Sequence, residues 1–177
     1  MGRLSRLLSR LLGYVAAEER EGISFPPGPH WDVDHPEAQF PELLRRLPDL
    51  MPPGSTVYLE GGPADEVDAF LEARAVENSP KFRMGTIWPR PLVFHIALTL
   101  ENMTGLAALA ERYVIPQIAD HLQIYRDGQV LLAWYDMASD AFCVSKEIPE
   151  AALGDWCAEL HLCAELHLQY KDCSIDV

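Results

Sequence analysis

Long apolar runs are missing from this sequence. No stretch approaches the ~18–20 residues that a membrane-spanning helix needs, which removes helical integral membrane proteins. Positive charge is scarce. Lys and Arg total 14 against 27 Asp and Glu, a formal net charge of -13. A general nucleic-acid binder needs clustered Lys and Arg to neutralise phosphates, so this balance speaks against one. Cysteine is sparse, at four in 177 residues. Cys143, Cys157, Cys163 and Cys173 form no C-x-x-C pair, which leaves a zinc ribbon or a thioredoxin-type redox site without support. Four is also too few for a disulfide scaffold, and reduced thiols in a cytoplasm are the expectation. No G-x-S-x-G, Walker A loop, G-x-G-x-x-G or H-E-x-x-H occurs. Gly61-Gly62-Pro63 has the form of an anion-binding turn before a helix. However, Glu60, Asp65 and Glu66 surround it without a Lys or Arg.

What is present is ordinary globular material. Hydrophobic residues make up 49% and charged residues 23%, enough for one core at this length. The charge is uneven. Residues 1–20 hold four Arg against Glu18 and Glu19, a balance of +2, which leaves -15 on the other 157 residues.

Residues 1–20 read as a basic amphipathic helix. Leu4, Leu7, Leu8, Leu11, Leu12 and Val15 share one face, with Arg3, Arg6 and Arg10 opposite. Docking on the domain or on another chain is expected, and an anionic membrane surface met through residues 3–15 is the alternative. Arg10 interrupts the apolar stretch, which argues against a cleaved signal. Residues 21–54 read as a Pro-rich linker, because Pro26, Pro27, Pro29 and Pro36 forbid helix. One short helix interrupts it, from about Phe40 to Leu47. The regular domain is placed at 55–160, and residues 161–177 are expected to form a C-terminal extension or tail.

Within 55–160, Thr56 to Leu59 and Leu92 to Leu98 read as strands joined by a helix from Pro63 to Arg74. These three are expected to form a right-handed βαβ unit. Asn102 is expected to cap a helix to about Tyr113. Asp127-Gly128 marks a type I′ hairpin between His121–Arg126 and Gln129–Tyr135, since both turn positions need positive φ. The turn predicts Tyr125 opposite Val130, Gln123 opposite Leu132 and His121 opposite Trp134. A strand from Ala141 to Lys146 completes a three-stranded meander, and a helix follows from Pro149 through Trp156. The fold class is therefore α+β, a mixed, mostly antiparallel sheet of about five strands packed with helices.

Two segments hold metal-ligand side chains. His30, Asp32, Asp34 and His35 offer two imidazoles and two carboxylates within six residues. Their competing reading is a solvated loop. The tail holds a tandem hexapeptide, Cys-Ala-Glu-Leu-His-Leu at 157–162 and again at 163–168. As a helix, Cys157 with His161 and Cys163 with His167 each share a face, but the two pairs point about 120° apart. As a strand, Cys, Glu and His line one face. Ala, Glu and Leu favour helix, which makes an extension of the last helix the plainer reading, with the strand left open. Trp88 and Arg90, in Trp-Pro-Arg-Pro, are candidate interface anchors. His95, inside an apolar strand, is expected to be a hydrogen-bonded core histidine. Asp120 and His121 are neighbours on a strand and point to opposite faces.

No catalytic residue and no cofactor is implied. An acidic α+β domain suits a basic protein partner, because opposite fields steer encounter. A non-catalytic interaction protein, of the immunity, antitoxin or regulatory kind, is the first expectation. A small metal-binding protein or metal-dependent enzyme is the second, and a peripheral membrane protein the third.

Overall fold

The computed structural model describes residues 22–168 apart from 62, 78, 84–90 and 140. The helix expected over residues 1–20 lies outside the described residues, as do Trp88 and Arg90. The elements run β1 (His30–Asp34), α1 (Phe40–Leu50), β2 (Thr56–Gly61), α2 (Asp65–Glu72), β3 (Leu92–Ala97) and α3 (Leu100–Ala110). They continue with β4 (His121–Arg126), β5 (Gln129–Trp134), β6 (Ala141–Ser145), α4 (Glu150–Leu160) and β7 (Cys163–His167). The fold is α+β, with one seven-stranded sheet in the order β3-β2-β4-β5-β6-β1-β7. Every pairing is antiparallel.

The expected βαβ unit is therefore corrected. β2 and β3 are neighbours but antiparallel, with Thr56 opposite Ala97 and Gly61 opposite Leu92. The cause is an additional pass of the chain. α2 returns it to the start of β2, where Ala75 bridges to Ile96. Residues 79–83 then run back across the sheet, placing the Phe82 ring 4.1 Å from that of Tyr58. The chain thus enters β3 from the end where β2 finishes. A crossover to a parallel strand would have needed a single return.

The linker expected over 21–54 contains a strand. Trp31 and Val33 are buried while Asp34 is exposed, a two-residue alternation. Pro29 and Pro36 flank the strand rather than break it, since proline disfavours helix without forbidding extended chain. The tail also contributes a strand. β7 pairs along the whole of β1 and forms one edge of the sheet.

The hairpin turns at Asp127 (φ 51) and Gly128 (φ 78), as the turn chemistry predicts. Its register holds only at Tyr125 and Val130. A bulge beside Tyr125 shifts the rest, so Gln123 faces Ala133 and Leu122 faces Trp134. The extra residue lets Leu131, Leu132 and Trp134 all reach the main core. Ala133 moves to the other face.

The helices cover one face of the sheet. α1 packs on α3 and α4, and its Leu43, Leu44 and Leu47 are fully buried. Each contributes about 1.5–3 kcal/mol of apolar burial. The Trp156 Nε1–H donates to the Arg46 carbonyl at 2.9 Å and ties α4 to α1. Thr99, rather than Asn102, caps α3, its hydroxyl accepting from the Asn102 N–H at 3.2 Å.

The opposite face carries a smaller cluster of Tyr58, Phe82, Tyr125, Val130 and Ala133, joined by Ile23 and Phe25. Two chain segments lie on it. Ile23 N–H donates to Lys81 O and Arg83 N–H donates to Ile23 O, both at 2.9 Å. Gly22 permits this approach. Its φ is +143, and a Cβ there would stand 2.7 Å from backbone atoms of residues 81–83.

Candidate metal centre

Residue pairing carries one line of side chains across the whole face away from the helices. It runs His95, Tyr58, Gln123, Ala133, Cys143, Asp32 and Glu165, one from each strand. At the β3 end two polar pairs form, while the buried Gln123 Oε1 makes no hydrogen bond. The Tyr58 hydroxyl donates to Glu60, and burial together with that carboxylate pushes the phenol pKa upward. His95 Nδ1 shares a hydrogen bond with the Tyr125 hydroxyl at 3.0 Å, and burial lowers the histidine pKa. The hydrogen bond expected from sequence is present, but His95 is half-buried at the sheet edge rather than in the core.

The β6–β1–β7 end is different. β1 places His30 and Asp32 on the same face, two residues apart. β6 sets Cys143 opposite Asp32, and β7 sets His167 opposite His30. Asp32 is the hub. Its Oδ1 lies 3.2 Å from His30 Nε2 and 3.5 Å from the Cys143 sulfur. Its Oδ2 lies 3.1 Å from His167 Nε2. The His30 and His167 rings stack with centroids 5.8 Å apart. Ligand atoms of His30, Asp32 and Cys143 all fall within 4.8 Å of one another.

The state of His30 decides what this arrangement can hold. Its Nδ1 is 2.9 Å from the Gly28 carbonyl, which can only accept, so Nδ1 carries a proton. In a neutral ring Nε2 is then a lone pair. That atom is buried, and it makes no hydrogen bond despite the Asp32 carboxylate beside it. A lone pair facing a carboxylate oxygen at 3.2 Å calls for a positive charge between or on them. A backbone carbonyl on the far nitrogen is also how metal-ligating histidines are commonly oriented. Among the described residues, no Lys or Arg pairs with Asp32, Asp34 or Glu165.

The sequence candidates divide. His30, Asp32 and His167 come together. Asp34 lies on the same face but is exposed, opposite Cys163. His35 leaves the group because the chain has turned to the helix side, where its ring lies 4.5 Å from that of Trp134. Of the two readings of the second hexapeptide the strand is the one found, since Cys163–His167 forms β7. Cys157 is buried in α4, and burial, helped by Cys163, pushes its thiol up to about 11. His161 ends α4 in the left-handed conformation and so does not continue a face with Cys157. His121 Nδ1 accepts from the Asp136 N–H at 2.8 Å. Cys143 was missed. Its face on β6 is legible from alternation, but the prolines around His30–Asp34 mark its partner strand as linker.

No protein-family model, no curated protein and no solved structure matches the chain.

Proposed function

We propose that this protein binds a zinc-class divalent cation through His30 Nε2, Asp32 Oδ1 and the Cys143 sulfur. The buried His30 Nε2, which makes no hydrogen bond and lies 3.2 Å from the Asp32 carboxylate in a group with the Cys143 sulfur, carries the reading. The spacings support it. Tetrahedral zinc with its usual bond lengths separates N from O by about 3.3 Å and S from O by about 3.5 Å. The corresponding separations here are 3.2 and 3.5 Å. A thiolate and an imidazole favour zinc over the hard cations magnesium and calcium. Binding rather than catalysis is the role inferred. Elemental analysis of protein purified without an affinity tag tests it, with one zinc per chain expected. Zinc-free protein that also fails to take up added zinc overturns it.

A basic protein partner is a second reading, favoured by the helix layer. Among the described residues its four helices hold ten carboxylates against two guanidinium groups, a net -8. Both guanidiniums are already paired, Arg45 with Glu111 and Arg46 with Glu159. That surface favours a cationic partner. A salt-sensitive complex with a basic protein is expected, and none at low salt sinks this reading.

A further inference from the structure

We propose that the cation fastens the edge strand β7 to the sheet, with His167 as the positioning residue that transmits the coupling. This rests on the metal reading of His30, Asp32 and Cys143.

Three observations carry it. First, the Asp32 carboxylate is shared. Oδ1 faces His30 and Cys143, while Oδ2 is 3.1 Å from His167 Nε2 on β7. A cation on Oδ1 fixes the carboxylate plane and so fixes the oxygen that His167 pairs with. The reverse also holds, because His167 on Oδ2 orients Oδ1 toward the cation. Outer partners of this kind tune metal affinity roughly 10- to 100-fold.

Second, among the described residues β7 has one strand neighbour, β1, and although Ala164 packs against the main core, Cys163, Glu165 and Leu166 are exposed. Elements with few buried contacts are the first to open.

Third, the strand state of β7 is not a property of its own residues. The identical hexapeptide at 157–162 is helical as far as Leu160. The second copy is extended because β1 offers it backbone partners and Asp32 offers His167 a charged acceptor. Removing the cation frees the Asp32 carboxylate to turn, which weakens the tie that belongs to β7 alone.

Coupling between two events of this kind is typically worth roughly 5- to 150-fold, and it is reciprocal. Amide hydrogen exchange on the full chain, with zinc and after chelation, reads one direction. Exchange at residues 163–167 should quicken by at least about fivefold on chelation, while Cys157 to Leu160 changes little. Zinc affinity by chelator competition reads the other. His167→Ala should weaken binding roughly tenfold or more, His167→Gln should restore much of it through its amide N–H, and His161→Ala should have no effect. If zinc binds but β7 exchange does not respond, the coupling is wrong and the metal reading stands. The same holds if His167→Ala binds zinc as tightly as the unaltered chain. If zinc does not bind at all, the metal reading itself falls.

Discussion

Asp32 and Cys143 stand directly opposite each other on β1 and β6, with the sulfur 3.5 Å from Oδ1. The contact joins two residues 111 positions apart. It brings a soft ligand to a carboxylate that already faces a buried imidazole.

Cobalt reports on that sulfur. Cobalt(II) in place of zinc should give a thiolate-to-metal charge-transfer band in the near ultraviolet. Cys143→Ser should abolish the band and weaken zinc binding, because a hydroxyl is a poorer ligand for a borderline-soft ion. A band that survives the substitution assigns the thiolate elsewhere.

The two copies of the hexapeptide should differ in thiol reactivity. Cys163 is exposed, whereas Cys157 is buried with its thiol pushed up to about 11. The thiolate is the nucleophile, so Cys163 should alkylate far faster near neutral pH. Timed alkylation with peptide mass mapping checks this. Equal rates would mean that 157–160 is not held in α4.

His95 should add an acid-side loss of stability. Burial lowers its folded-state pKa below the ordinary 6.5. The unfolded chain therefore binds a proton that the folded chain refuses. Stability is lost as pH falls from about 6.5 through the folded pKa and levels off below it. Its ring packs among Tyr58, Phe82 and Tyr125. His95→Gln should flatten that part of the pH–stability curve, measured by urea unfolding at a series of pH values. An unchanged slope would place the titration in other groups.

Leu47→Ala should cost about 2–5 kcal/mol. The side chain is fully buried in the main core, on the helix that packs against α3 and α4. The midpoint of urea unfolding should fall without a change in its slope. A cost below about 1 kcal/mol would mean that α1 is not the centre of the helix layer.

Much of the architecture is written locally. The Asp127-Gly128 turn, the leucine stripe of α1 and the alternation of β6 are each read from a few neighbouring residues. Their periods and φ requirements do not depend on what lies across from them. The acidic excess of the helix layer is likewise legible from composition.

Pairing was not legible. β1 looked like linker because its flanking prolines dominate the local signal, and nothing nearby announces that β6 and β7 flank it. The candidate centre inherits this. His30, Asp32 and His167 were recognisable as ligand types, but Cys143 joins them only once β6 lies beside β1. His35 drops out only once the chain turns to the helix side.

His161 and His167 mark the boundary most clearly. They hold the same position in identical hexapeptides, so sequence alone assigns both the same conformation. The first ends a helix at φ 56, and the second lies on a strand against Asp32. Local propensity differs among such states by less than about 1 kcal/mol per residue. A free strand edge, several backbone hydrogen bonds and one charged acceptor together outweigh it. The residues thus determined which chemistry was available, and the tertiary pairing decided which of them meet.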